Sequence, residues 1–315
     1  MSSEVSVLQS RATPRSVAPL DGVQPTLAEL LALRATSLGG RAARKGRHGL
    51  AGPAPSALRG RGMEYAESRE YVAGDDVRHI DWRLTARSGK THTKLFQAER
   101  ERLSLIVADT SPGLYFGTRV RFKSVQAARA GAVAAWLAQR QGDRVAALRG
   151  SSREPPVAPA SGTRGVLRVL DALVRWYRQP PEGNEGLDFA LEQARRLLRP
   201  GSRLVVLADP AEAAVVAASR WSSLAAHHEV GVILLVDPLE MAPPQANLPF
   251  VTDGGRIELA LGSPAVRQRW QGEFVAPVES LLAMLPSRGV DVHVLSTTDA
   301  SEAWLQPSPL PELAG

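Results

Sequence analysis

Short apolar runs recur along this chain, and they constrain its fold more than any other feature: Leu103–Ala108, Arg144–Leu148, Arg203–Ala208 and Val230–Val236. Past their first residues none of them alternates apolar with polar, as a strand with one wet face would. Strands apolar on both faces belong in a sheet covered by helices on both sides. Between the runs the apolar spacing turns helical. In Arg121–Gln141 the apolar positions Val125, Ala128, Ala132, Trp136 and Leu137 fall on one face. Further helices are expected at Gly165–Tyr177, Leu187–Leu198, Glu212–Ala226 and Val266–Leu285, the last opened by Ser263 as N-cap and Pro264 in the first turn. A Ser/Pro loop falls at 151–161, a hairpin around Asp253-Gly-Gly255, and a closing strand at Val290–Leu295. Strand alternating with helix defines an α/β fold: a doubly wound, mostly parallel Rossmann-like sheet over residues 103–300.

The N-terminal third reads differently. Residues 1–24 are polar and proline-interrupted, the composition of a disordered segment. Thr26-Leu-Ala-Glu29 is a capping box that opens a helix from Leu27 to about Leu38, stopped by Gly39-Gly40. Residues 41–62 are rich in Arg, Gly, Pro and Ala and read as a loop, and a strand follows at Thr93–Gln97. The chain thus divides into a disordered start (1–24), a helix, basic loop and charged segment (25–102), the sheet domain (103–300) and a Pro-rich tail (301–315). Its 315 residues suffice for one large core plus an accessory piece.

Charge and composition exclude several function classes. The formal net charge is +6, and residues 41–102 alone carry 14 Lys/Arg against 8 Asp/Glu, so the excess is local. A basic stretch of this kind admits nucleic-acid binding, but aromatic residues at regular spacing are missing, which argues against it. The absence of cysteine removes disulfides, thiol chemistry and cysteine zinc sites. The longest uninterrupted apolar run, Ala130–Ala138, is too short for a membrane span, and Met1-Ser-Ser-Glu-Val-Ser has no apolar signal region. A cytoplasmic protein is expected.

In doubly wound sheets the binding crevice lies beyond the carboxyl ends of the strands, where strand order reverses. Asp109 and Asp209 each end a strand on that side, and Ser111 follows two residues after Asp109. Two carboxylates and a hydroxyl are hard oxygen donors suited to Mg²⁺. The plainer reading is that the carboxylates accept backbone N–H bonds at the sheet edge. The order Ser111, Asp209, His293 also matches an α/β-hydrolase triad, although Asp109 sits where the strained nucleophile turn needs a small residue. A Mg²⁺-assisted hydrolase using Asp109, Asp209 and Asp75 or Asp76 is a further alternative. Ser88-Gly-Lys-Thr91 echoes the end of a phosphate-binding loop, but Leu84 stands at the position of its first Gly, so no nucleotide is expected. Within 69–87, Arg69, Arg78, Arg83 and Arg87 interleave with Asp75, Asp76 and Asp81 around Gly74, with Tyr71 and Trp82 beside them. This pattern predicts a web of ion pairs anchored by Trp82, or a docking surface. In the web, losing Asp81 or Arg78 would cost about 3 kcal/mol.

The residues Gly62-x-Glu64, Arg69-x-Tyr71, Gly74-Asp-Asp76, Arg78-x-Ile80-Asp-Trp82, Ala86-Arg87, Lys94 and Glu99, followed by Asp109-x-Ser111, resemble the domain-of-unknown-function 58 family over residues 62–300. The resemblance implies a von Willebrand factor A-like domain with a family-specific insertion before its first metal-site strand. It also implies a non-enzymatic interaction role alongside a MoxR-type AAA+ ATPase. The adhesion site of that fold uses Asp-x-Ser-x-Ser, a later Thr and a further Asp, and a partner carboxylate completes the ion's shell. Here Asp109, Ser111 and Asp209 match, Gly113 replaces the second Ser, and the loop Gly183-Asn-Glu-Gly186 offers no Thr. The resemblance therefore implies a degenerate site with weak Mg²⁺ binding or none.

Overall fold

The Thr26 hydroxyl accepts the Glu29 N–H at 3.2 Å and opens helix α1 (Leu27–Gly39). The computed structural model describes residues 22–39, 63–98, 102–252 and 254–306. Of residues 1–24, expected to be disordered, 1–21 lie outside the described residues and 22–24 form a turn whose Gly22 carbonyl accepts the Phe122 N–H at 2.7 Å. The expected basic loop 41–62, Glu99 and the tail beyond 306 also lie outside the described residues. The chain then runs through β1 (Met63–Glu70), a 3-10 turn at Val77–His79, α2 (Trp82–Ser88) and β2 (His92–Ala98). β1 and β2 form an antiparallel pair, Glu70 opposite His92, with the turn and α2 carried between them as an arm. β1 (MEYAESRE) has no apolar period, which is why pattern reading missed it.

The sheet domain follows: β3 (Leu103–Ala108), α3 (Lys123–Arg140), β4 (Arg144–Arg149), β5 (Val157–Ala160), α4 (Gly162–Tyr177), α5 (Gly186–Leu197) and β6 (Arg203–Ala208). Next come α6 (Pro210–Val215), α7 (Ala218–Ala225), β7 (Glu229–Val236), α8 (Pro238–Met241), the hairpin β8 (Asn247–Thr252) with β9 (Gly255–Ala260), α9 (Pro264–Trp270), α10 (Ala276–Ser287) and β10 (Asp291–Ser296). The six-stranded sheet is ordered β10-β7-β6-β3-β4-β5, parallel except for β5, which pairs antiparallel with β4. Strand order reverses between β3 and β6, which lie side by side.

Side chains of successive strand residues point to opposite faces, and both faces are buried. Ile106, Ala108, Val205, Leu207, Ile233 and Leu235 pack with α1, α3 and α4. Leu105, Val107, Leu204, Val206, Val232 and Leu234 pack on the other face with α5, α6, α7 and α10. This is a mixed α/β architecture with a mostly parallel sheet flanked by helices, compatible with a Rossmann-like fold.

Several elements differ from the sequence reading. α1 is not set apart with the charged segment: Leu30 and Leu33 belong to the sheet domain's core, and Trp136 of α3 donates its indole N–H to the Leu30 carbonyl at 3.1 Å. The 151–161 loop contains β5, an edge strand where Pro159 is tolerated. The helix expected at 212–226 breaks at Val216 and Ala217, both extended; Val216, 3% exposed, turns into the core. The helix expected at 266–285 passes through a π-helical turn at Gln271–Val275. Pro277, just beyond it, has no N–H to offer the Glu273 carbonyl, and its ring would clash with that carbonyl in a regular helix. Ala303, Trp304 and Leu305 pack against the core beyond the boundary drawn at residue 300.

Candidate functional site

The register Ala108↔Leu207 brings Asp109 and Asp209 out of neighbouring strands at the same edge of the sheet, at the reversal of strand order. The Asp109 N–H donates to the Leu207 carbonyl at 2.9 Å. One Asp109 carboxylate oxygen accepts the Ser111 N–H at 2.8 Å. The other accepts the Asp209 N–H at 2.9 Å and the Ser111 hydroxyl at 3.1 Å. Asp109 is 2% exposed and Asp209 7%. Burial pushes the Asp109 carboxyl up to about 7, against the pull of the Asp209 and Ser111 N–H donors, and the nearby Asp209 and Glu212 charges push it the same way as burial.

Asp209 caps α6 by accepting the Ala211 N–H at 3.0 Å, and its other oxygen accepts from Lys123 Nζ at 2.7 Å. Lys123 is the first residue of α3 and 2% exposed. Its ammonium also donates to Glu240 Oε1 at 2.6 Å, while Glu240 Oε2 accepts the Asp237 N–H at 2.9 Å. A cation at a helix N-terminus opposes the helix dipole, so the two carboxylates supply what the helix does not. Burial pulls the Lys123 ammonium down, but the Asp209 and Glu240 charges outweigh it and leave it above the usual lysine value. Asp237, ending β7, is fully buried. Thr118 donates to it through its hydroxyl (2.6 Å) and N–H (3.0 Å), and the Thr297 hydroxyl donates at 2.8 Å. Gly113, Lys123, Asp209, Glu240, Glu273 and Phe274 help to line a crevice of about 220 Å³ beside this cluster.

The arm gathers the rest of the predicted residues. Asp75 accepts from Arg69 at 2.7 Å and from the Val72 N–H at 3.0 Å; that backbone bond, with help from Arg69, holds its carboxyl below the usual range. Gly74, at φ +109, makes the turn between them. Asp76 caps the 3-10 turn through the Arg78 N–H at 3.0 Å. Asp81 caps α2 through the Arg83 and Leu84 N–H groups and accepts the Ser68 hydroxyl. Tyr71 joins the β-ladder by its N–H to the Thr91 carbonyl. The ion-pair web predicted from the sequence reduces to Arg69–Asp75: Arg78, Arg83 and Arg87 form no ion pair among the described residues. The carboxylates are taken by backbone N–H groups instead. Nor is Trp82 an anchor, for it is 70% exposed, with Val77 at 60% and Val72 at 58% nearby in the arm. Charge within 63–98 balances, six Lys/Arg against six Asp/Glu, so the excess counted over 41–102 lies in residues 41–62, outside the described residues.

The hydrolase triad is not assembled. His293 lies inside β10, paired with Ile233 of β7, and its ring meets Trp304 at 6.2 Å; the Ser111 hydroxyl donates to Asp109 instead. Asp75 and Asp76 are engaged within the arm. Ser88-Gly-Lys-Thr91 closes α2 and enters β2, with Gly89 as a C-cap, so no helix N-terminus faces it. Lys123, Glu240, Asp237, Thr118 and Thr297 escaped the sequence reading. Asp237 had a usable signal, an apolar run ending in Asp like those before Asp109 and Asp209. Lys123 had none, since its partners are 86 and 117 residues away.

Residues 67–276 match the family described as "Protein of unknown function DUF58", and the chain belongs to it. Uncharacterized proteins of Mycobacterium tuberculosis and Mycobacterium bovis are 32% identical over 193 residues, 60% of this chain and 59% of theirs. The chain thus spans about three-fifths of the length of the curated relatives it matches. A solved structure, an uncharacterized membrane spanning protein from Vibrio fischeri, is 14% identical with a TM-score of 0.22, covering 62% of this chain and 91% of that one. Among the described residues no helix is long and apolar enough to cross a membrane.

Proposed function

We propose that this protein is a non-enzymatic, cytoplasmic interaction adaptor. Its sheet domain is von Willebrand factor A-like, with a degenerate metal-ion-dependent adhesion site at Asp109, Ser111 and Asp209. The partner to test first is a MoxR-type AAA+ ATPase, as the resemblance implies, acting in assembly or maturation of a protein complex. The A-like reading is supported by Asp109-x-Ser111 falling at the reversal of strand order, where such sheets bind.

The observation that carries the adaptor role is Trp82, 70% exposed at the start of a helix that also bears Arg83 and Arg87, neither of them in an ion pair among the described residues. An exposed tryptophan flanked by arginines is the composition of an interface hot spot. Because Asp75, Asp76 and Asp81 are spent on turns and caps, those arginines are free to meet carboxylates of a partner around a pocket for the indole. Binding of the purified ATPase from the same host is the direct test. Trp82→Ala is expected to weaken it by about 2 kcal/mol or more, roughly thirtyfold. Equal affinity for wild type, Trp82→Ala and Arg83→Glu would contradict docking through the arm.

A further inference from the structure

We infer that the cation of the switch-point crevice is the protein's own: the Lys123 ammonium, clasped by Asp209 and Glu240, takes the Asp209 oxygen that an adhesion-type site would offer to a divalent ion. The crevice therefore works without one. The inference rests on reading the crevice as an adhesion-type site, and its test does not use partner binding.

The donor set does not fit Mg²⁺, and three features say why. The Asp209 oxygen that could face an ion is 2.7 Å from Lys123 Nζ, so a divalent ion on that oxygen would sit within a few ångströms of a buried like charge. Both Asp109 oxygens already accept N–H bonds, from Ser111 and from Asp209, and the Ser111 hydroxyl is turned toward the same carboxylate. At Gly113, the position of the missing second Ser, an added Cβ would lie 3.0 Å from Asp209 Oδ2. A side chain there would crowd the Asp209 carboxylate. Mg²⁺ demands near-ideal octahedral oxygen geometry, which two carboxylates committed to other donors do not supply.

Local structure does not explain the lysine. α3 runs from Lys123 to Arg140, and nothing in its first turn calls for a cation at its positive end. The partners that hold Lys123 come from the ends of other elements, Asp209 after β6 and Glu240 in α8 after β7. A buried charge paired twice across the fold is costly to remove alone, because its partners are left uncompensated. The ammonium therefore joins the loops after β3, β6 and β7, as a shared metal ion would.

Calorimetric titration of the full chain with MnCl₂ tests this, comparing wild type, Lys123→Ala and Lys123→Ala/Asp209→Asn. Wild type is expected to give no saturable heat. Lys123→Ala, with the ammonium gone and its carboxylates unpaired, is expected to bind Mn²⁺ at least about tenfold more tightly than wild type, and the double variant to lose that binding. A folded Lys123→Ala that gains nothing would overturn the inference. So would saturable Mn²⁺ binding by wild type that Asp109→Asn abolishes. Should Lys123→Ala not fold, the wild-type titration with its Asp109→Asn control decides alone, absence of heat supporting the inference and Asp109-dependent heat overturning it. A protein that behaves as expected here but binds no ATPase keeps the resident cation and loses the docking role. One that binds ATPase and also Mn²⁺ does the reverse.

Discussion

Asp109 sits almost out of reach of water, and its raised carboxyl has a consequence for stability. An unfolded aspartate ionises near pH 3.9, whereas burial moves this one to about 7. Between those values the folded protein keeps a proton that the unfolded chain releases. Stability from this residue therefore falls as pH rises from about 4 to about 7, and is level above that. Lys123 does not confuse the reading. Its folded value is raised above the ordinary lysine value, so its contribution is complete throughout that window and is lost only at far higher pH. Denaturant unfolding at about pH 5 and about pH 8 should show a smaller loss of stability in Asp109→Asn than in wild type; equal losses would refute the assignment. Asp81 gives a second, smaller prediction. As an N-cap rather than a buried ion-pair partner, its replacement by Ala should cost about 1 kcal/mol, and Arg78→Ala almost nothing. Hydrogen exchange of the α2 amides reads this locally; a cost near the 3 kcal/mol of a buried pair would restore the ion-pair web. At this scale the sequence disclosed Asp109 and Asp209, because each ends an apolar strand. It hid Lys123, whose meaning depends on carboxylates brought to it only by the fold.

Helix α3 is the element on which the site depends, since its first turn carries Lys123 and its body lies across the sheet. Its small residues let it approach closely: a Cβ at Gly131 would meet Leu173 Cδ1 at 2.9 Å and Leu207 Cδ1 at 3.0 Å. Gly131→Ala should therefore destabilise by about 1–3 kcal/mol through overpacking, although alanine gains about 1 kcal/mol in helix propensity. A urea midpoint equal to or above that of wild type would show that the leucines move aside freely. The π-helical turn is a second test. Glu273 and Phe274 lie on it and face the crevice, and the Phe274 ring meets Trp270 at a tilt, with centroids 4.5 Å apart. Pro277→Ala should let the helix run regularly, raise the melting temperature and alter the Trp270 fluorescence; an unchanged spectrum would mean that Pro277 does not set the turn. Elements with strong periodicity, α3 and the buried strands, were readable from sequence. β1 and α2 were not, because their residues are polar and their order comes from ladder bonds and from the Asp81 cap. The break at Val216–Ala217 was hidden for a different reason: burying Val216 competes with helix continuity, and a helical pattern does not register that competition.

Across the whole molecule, the candidate site lies where the winding of the sheet reverses. Alternation of buried strands with helices made the layered architecture legible, and with it the edge from which Asp109 and Asp209 emerge. Strand order is not written in any local pattern. β5 on the edge, the placement of β10 beside β7 and the packing of α1 on α3 all come from long-range burial. Two surfaces result: an arm in which Trp82 is exposed beside arginines, and a crevice in which Lys123 pairs with Asp209 and Glu240. The second is the more exacting claim, and diffraction from crystals soaked in MnCl₂ tests it most directly. The expected result is no anomalous peak between Asp109 and Asp209, with the Lys123 ammonium in density between Asp209 and Glu240. A manganese peak bound by Asp109, Ser111 and Asp209, with Lys123 swung away, would contradict it.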